Sequence, residues 1–328
     1  MKAFITGASG FIGTHLARRL LENKWQVDLL RHTKDMEGLE GCRVIQGDIR
    51  DPRSLKGMFK DADVLFHLAA ALGASRIDNK EFFAINVQGT ENVLKAAADA
   101  GVGKVIHFSS AGVLGSVGEN RPAEETHALS PRDVYDKTKL KGEKIALRFA
   151  AEGENVVVIR PGWVYGPGDR RTFKLIKAVA SKNFLLVTTG KTRQTPVYIE
   201  DLVQGILLCA EKGVQGEIYH LAGSENLSVK EITRAIAQVT GVPLSQFPLP
   251  QFVLKVAAWK LEKVFSLWGK EAPLTKGKLA FFIHPKPLSI QKAKKDLGYS
   301  PQWDFQTGIA AAVAWYRENG WLPFEPSS

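Results

Sequence analysis

The hexapeptide VYDKTK, residues 134–139, sets a phenol at Tyr135 and an ammonium at Lys139, four positions apart. On a helix those positions stack on one face. An ammonium beside a phenol stabilises phenolate and draws a pKa that ordinarily stands near ~10 toward working pH. Such a pair can donate or remove the proton of a carbinol oxygen while a bound nicotinamide exchanges a hydride with the adjoining carbon. A further hydroxyl, Ser110, stands twenty-five residues upstream in FSSAGVLG and would hydrogen-bond the same oxygen. Each part has a bland counterpart, because serines end many strands and Tyr–Lys pairs decorate many helices. The chemistry therefore depends on elements that bring the three together.

Short apolar runs alternate with amphipathic stretches over the first 160 residues. AFIT (3–6), WQVDLL (25–30), CRVI (42–45), DVLFHLAA (63–70), KVIHFSS (104–110) and NVVVIR (155–160) read as strands. Several are apolar throughout, as expected of a parallel sheet covered on both faces. Phe11, Ile12, Leu16 and Leu20 mark one face of a first helix, and Ala84 to Ala98 lie in a longer one ending near Gly101. SPRD before Tyr135 reads as a helix start, with Ser130 as cap, Pro131 in the first turn and Asp133 near the positive end. Strand–helix–strand repetition predicts an α/β, doubly wound parallel sheet whose ligands bind beyond the carboxyl ends of its strands. Residues 1–165 form the dinucleotide-binding domain, with the sheet completed by about 196–223. Residues 166–195 and 224–328 form a smaller, mostly helical substrate lobe.

TGASGFIG follows the first strand and opens the first helix. Gly7 allows a tight turn, Gly10 lets backbone approach a pyrophosphate, and Gly13 permits close helix–sheet packing. The helix amino terminus then offers free N–H groups to anionic oxygens. In this strand–turn–helix context the glycines predict a Rossmann dinucleotide site rather than a plain turn. Arg31, eighteen residues beyond Gly13 and followed by His32 and Lys34, suits the 2′-phosphate of NADP(H). Its rival is Asp28, which would serve the ribose of NAD(H) if the strand ended earlier. In GDIRD, Asp48 is placed to hydrogen-bond an adenine amine with Ile49 against the ring; a plain turn aspartate is the alternative.

The totals narrow the function classes. With 45% hydrophobic and 24% charged residues, the chain has the composition of a soluble globular protein. Its net charge of +10 is scattered, without a zinc-finger or RNA-binding signature. Nucleic acid is thus not an expected partner, and the charge adds only a modest attraction for anionic cofactors. Cys42 and Cys209 lack metal-ligand spacing, so neither a metal site nor a disulfide framework is expected, which fits a reducing, cytoplasmic setting. MKAFITGASG leaves no room for a secretory signal, and no run of about 18 uncharged apolar residues suggests a transmembrane span.

TGASGFIG, GDIRD, HLAA, INVQGTENVL, FSSAGVLG, YDKTK, RPGWVYGPG and the late YIEDL together resemble the extended short-chain dehydrogenase/reductase family over nearly the whole chain. The resemblance implies Ser110, Tyr135 and Lys139 as the catalytic triad, with Tyr135 and Lys139 also touching the cofactor. It implies further cofactor contacts from the Gly7–Gly13 turn, including Ser9, Gly10, Phe11 and Ile12, and from Asp48, Ala69, Ala70, Pro161, Gly162 and Val164. Asn86 matches a recurrent structural asparagine. Pairing through the Tyr135 helix and the 81–100 helix is common in the family, so a homodimer is expected.

Departures point to the subfamily. Sugar-nucleotide dehydratases carry an Asp–Glu pair where this chain has Ala111 and Gly112, which disfavours dehydration. Sugar-nucleotide epimerases carry an asparagine at Trp163 and an arginine near Gln194 or Arg193; a tryptophan is a poor diphosphate ligand and a good apolar wall. Leu114 replaces a common tyrosine. With Arg31 and the tail KAKKDLGYSPQWDFQTGIAAAVAWYRENGWL, these changes move the likeness toward 3β-hydroxysteroid dehydrogenases and dihydroflavonol reductases.

The expected activity is NADP(H)-dependent interconversion of a secondary alcohol and a ketone on an apolar small molecule: steroid-like, flavonoid-like or a long-chain ketone. The alternatives are a nucleotide-sugar 4-epimerase with the same triad and a non-catalytic dinucleotide-sensing protein. LPQFVLKVAAWKLEKVFSLWG, 249–269, places Phe252, Leu254, Val256, Trp259, Leu261, Val264, Phe265 and Trp268 among lysines. It reads either as a packed helix or pocket wall, or as a helix in peripheral contact with a membrane.

Overall fold

The computed structural model describes residues 1–33, 36, 38–72, 78–118, 121–181, 184–186, 188–267 and 276–323, without the side chains of 185, 246, 251, 266, 267 and 276–278. Lys34 and Trp268 lie outside the described residues. Six strands, β1 (Lys2–Thr6), β2 (Gln26–Arg31), β3 (Arg43–Gln46), β4 (Val64–His67), β5 (Lys104–Phe108) and β6 (Val156–Pro161), follow the expected runs to within a few residues. With Ile218–Leu221 they make one seven-stranded sheet in the order β3-β2-β1-β4-β5-β6-(218–221). Every pairing in it is parallel; Thr6 stands opposite His67, His67 opposite His107, and Phe108 opposite Ile159.

Alternate side chains enter two cores. Ala3 and Ile5 pack with Leu16 and Leu20, whereas Phe4 joins Leu65, Val93 and Val158 on the other face. Helices α1 (Phe11–Glu22), α2 (Asn79–Phe83), α3 (Thr90–Asp99), α4 (Val134–Ala151), α5 (Arg170–Ala180) and α6 (Ile199–Lys212) are joined by α7 (Val229–Val239), α8 (Gln251–Leu267), α9 (Lys276–Ile283), α10 (Gln291–Leu297) and α11 (Phe305–Glu318). Leu16 and Leu20 of α1 and Leu202 and Ile206 of α6 belong to the first core; Val93 and Leu94 of α3 and Ala146 of α4 belong to the second. Burial on both faces explains why the strands lack polar–apolar alternation.

Three local expectations needed correction. The cap of α4 is Asp133, whose carboxylate accepts from Asp136 N at 2.8 Å, and not Ser130. Ser130 is held elsewhere, its N–H on Val113 O at 3.0 Å. The VYIEDLVQGILLCA stretch does not itself rejoin the main sheet: Pro196–Tyr198 pairs with Trp163–Tyr165 in a separate two-stranded sheet, and the remainder is α6. The helix through Asn86 is not uniformly α, because Ala84–Gly89 is a π-helix. Asn86 explains the bulge: its amide accepts from Ala71 N at 2.7 Å and donates to Ala71 O and Thr138 Oγ1. One side chain thus ties the loop after β4 to α4, and π-bulges concentrate where such geometry is required.

Candidate active site

The carboxyl ends of β1 to β6 collect nearly every residue singled out by the sequence. Gly7 has φ +81°, and a Cβ there would lie 2.6 Å from Ala69 N; only glycine lets the first turn pass the loop after β4. A Cβ on Gly13 would stand 2.4 Å from Gly7 O, so that glycine is dictated by close packing instead. Gly10 begins α1 in extended geometry with no side-chain cap, and the first turn carries no acid. Ser9 and Gly10 are exposed, Phe11 and Ile12 half-buried. Uncapped N–H groups at an exposed helix terminus fit an anionic pyrophosphate, so these residues suit a dinucleotide.

The ends of β2 and β3 bear on which dinucleotide. Asp28 is buried and fully engaged: Arg43 donates to it through Nε at 3.0 Å, and Lys2 Nζ stands 3.4 Å away. Arg31 emerges at the end of β2 with Nε donating to Gln46 Oε1 at 3.1 Å. The Asp48 carboxylate is held by Arg50, through Nη2 at 2.7 Å and Nε at 2.9 Å, with His32 Nε2 at 3.3 Å. That guanidinium keeps the Asp48 carboxyl below its usual range. Ile49 is buried, its Cδ1 pressed on Gly89.

Ser110 leaves β5 and caps a short 3₁₀ turn, accepting from Gly112 N at 3.0 Å. It lies close enough to the Tyr135 phenol to draw its pKa down, against a larger rise from burial. The two hydroxyls expected to share a substrate oxygen are therefore neighbours. Gly112 is fixed by a neighbour from α4: a Cβ there would overlap Asp136 Oδ1, and burial raises the carboxyl of Asp136.

Lys139 stands one turn beyond Tyr135 on α4. It turns inward, 3% exposed, and burial lowers its ammonium to about 8 against a partly offsetting rise from Glu143. Burial also raises the Tyr135 phenol, and the nearby charge that opposes this is Arg171 at the start of α5. Sharing a helix face does not fix depth, and one turn deeper the lysine meets a different set of charges.

That set is a buried polar layer. Glu143 accepts from Arg160 Nε at 2.9 Å and Nη2 at 2.6 Å, and from Ser109 Oγ at 2.5 Å. Arg160 Nη1 donates to Glu125 O at 2.9 Å. His67 makes two hydrogen bonds, to Thr6 Oγ1 at 2.7 Å and Thr90 Oγ1 at 3.1 Å. Burial and the Lys139 charge press His67 down to about 3 and His107 well below its usual value. Both imidazoles are neutral at physiological pH.

The remaining wall is aromatic. Pro161, Gly162 and Val164 continue from β6, with Gly162 N donating to Leu221 O at 2.9 Å. Trp163 meets Phe281 of α9 at 4.8 Å and Phe305 of α11 at 5.9 Å between ring centroids. Gln194 is buried, its amide donating at 2.9 Å to Phe281 O and His284 O. Arg193 points instead to Asn226 O.

Residues 3–222 match the NAD dependent epimerase/dehydratase family. The chain belongs to that family. Its members act on CH–OH groups with a nicotinamide dinucleotide, and this chain is an enzyme of that kind. A relative from Stigmatella aurantiaca, 4-hydroxy-2-methyl-3-oxo-4-farnesyl-3,4-dihydroquinoline-1-oxide ketoreductase, is 30% identical over 95% of both chains. The 3 beta-hydroxysteroid dehydrogenase/Delta 5→4-isomerase of Mycobacterium tuberculosis is 28% identical, covering 96% of this chain and 90% of that one. The crystal structure of DesIV, a dTDP-glucose 4,6-dehydratase from Streptomyces venezuelae solved with NAD bound, superposes with a TM-score of 0.78 at 28% identity, covering 98% and 99%. Glu143, Arg160, Arg50 and Arg171 were not anticipated. Arg50 stood inside GDIRD; the other three carried no signal apart from their types.

Proposed function

We propose that this family member is an NADP(H)-dependent reductase or dehydrogenase that interconverts a ketone and a secondary alcohol on a largely apolar small molecule. The observations that support the reading are Ser110 and Tyr135, at the end of β5 and the start of α4, together with the apolar cluster of Trp163, Phe281 and Phe305. When bound, the dinucleotide supplies or accepts the hydride. Ser110 holds the substrate oxygen, and Tyr135, kept protonated by burial, donates its proton to that oxygen in reduction. Lys139 stays below, where its ammonium can hold a ribose hydroxyl and help return the proton to Tyr135.

Arg31 ends β2 where a 2′-phosphate would lie, and Asp28 is committed to Arg43 and Lys2, which supports NADP(H) over NAD(H). Arg31→Ala should weaken NADPH binding on the order of tenfold while leaving NADH nearly unchanged, by fluorescence titration. Equal losses for both dinucleotides would overturn the preference. A nucleotide-sugar epimerase needs polar ligands for a diphosphate; here Gln194 is used to hold α9 and Trp163 is apolar. A screen following NADPH oxidation should give turnover with steroid-like, flavonoid-like or long-chain ketones. A raised Tm with UDP- or dTDP-sugars, and no ketone turnover, would instead indicate the epimerase. Cytoplasmic residence and pairing of two copies through α3 and α4 belong to the same proposal.

A further inference from the structure

Helix α8 carries apolar residues on two sides. Leu254 and Ala258 are buried against Leu279 of α9 with Leu249 and Ile283, forming a small separate core. Facing outward are Phe252, 69% exposed, Val256 at 49%, Trp259 at 44% and Val264 at 44%. Phe252, Val256, Trp259 and Lys263 recur at i, i+4, i+7 and i+11, a single stripe of a helix. Phe247, in the segment leading into α8, is 62% exposed. A core helix would bury such residues, and a soluble surface rarely clusters them.

The charges on this face are one-sided. Lys255, Lys260 and Lys263 border the apolar stripe, and the Lys263 ammonium lies 4.3 Å from the Trp259 ring centroid. Glu262 is the only acid on the helix and is half-buried. Outward aromatic and aliphatic groups ringed by lysines match a lipid surface bearing negative headgroups. The whole chain, at +10, is attracted the same way. No helix among the described residues is long and apolar enough to cross a membrane, so the fit is to its surface.

We propose that α8 docks the protein on an anionic bilayer, with Phe252, Val256 and Trp259 entering the headgroup boundary and the three lysines on phosphate oxygens. The docked face is continuous with the site. Leu279 joins α8 to α9, and Phe281 of α9 stacks edge-on against Trp163. Resting on the proposed apolar substrate, this places the lobe that covers the site at the surface of the phase where such a ketone dissolves.

Co-sedimentation of the full chain with vesicles tests the docking without any assay of turnover. Phosphatidylglycerol-containing vesicles should carry the protein down, pure phosphatidylcholine vesicles should not, and high salt should release it. Lys255→Glu/Lys260→Glu/Lys263→Glu should lower partitioning on the order of a hundredfold, and Phe252→Ser/Trp259→Ser at least tenfold. Both variants should keep the wild-type Tm and NADPH affinity, which separates lost docking from lost folding. Wild-type protein left in the supernatant, or variants that sediment like wild type, would overturn the proposal. So would light scattering that shows a dimer abolished by Phe252→Ser/Trp259→Ser, since a second copy would then cover the stripe. A failed ketone screen with intact vesicle binding would sink the apolar-substrate reading and leave the docking standing.

Discussion

Lys139 is a buried ammonium on α4, one turn beyond Tyr135. Its ammonium is depressed to about 8 by burial, with Glu143 working in the opposite direction. Because the folded pKa lies below the unfolded value, the folded protein loses this proton first as pH rises. The desolvation penalty is therefore fully present below about pH 8 and is relieved above it, so stability should rise with pH there while, on the role proposed for Lys139, activity should fall. Glu143→Gln removes the one charge that supports the ammonium. The alkaline break in kcat/KM, followed by NADPH oxidation, should move to lower pH in that variant; an unmoved break would contradict the assignment. The same change leaves Arg160 buried without its partner, at a cost of about 3–5 kcal/mol, so Tm should fall as well. Tyr135, Lys139 and Ser110 were singled out in the sequence because their types and order are chemical. Glu143 was not, since it reads as one more charge in KGEKIA and its partner lies 17 residues on.

At the scale of elements, apolar runs announced the strands because both faces of the sheet are covered, leaving little choice of residue. The glycine turn was legible for a steric reason: Gly7 and Gly13 each stand where a Cβ would overlap backbone. The start of α4 was less so. SPRD contains two good caps, and sequence alone cannot tell that Ser130 is already held by the 3₁₀ turn. Asp133→Ala should destabilise by about 1 kcal/mol in urea titration and, by loosening the turn that carries Tyr135, lower kcat. Ser130→Ala should leave the midpoint within about 0.5 kcal/mol of wild type. The reverse ranking would restore Ser130 as the cap. The π-helix was invisible because AINVQG satisfies an ordinary helical pattern; the amide of Asn86, bound to Ala71 on one side and Thr138 on the other, creates the bulge through contacts distant in sequence.

The whole molecule separates a shared machine from a private wall. The chain is similar over nearly its whole length to ketoreductases, steroid dehydrogenases and sugar dehydratases. What distinguishes this chain is assembled from distant segments: Trp163 after β6, Phe281 on α9, Phe305 on α11, and Gln194 beneath them. Sequence reading found Trp163 and Gln194 as substitutions but could not see that Gln194 is a strut for α9, because that requires the fold. The central claim is that Tyr135 protonates, and a nicotinamide reduces, a carbonyl on an apolar molecule. Its most direct test is isotope transfer. Protein incubated with an apolar ketone and NADPH deuterated at the nicotinamide C4 should yield an alcohol with one deuterium on the carbinol carbon, by mass spectrometry. Tyr135→Phe should slow that transfer by about 10²–10⁴-fold while still binding NADPH. Undiminished transfer in Tyr135→Phe, or a product in which no deuterium appears, would contradict the account.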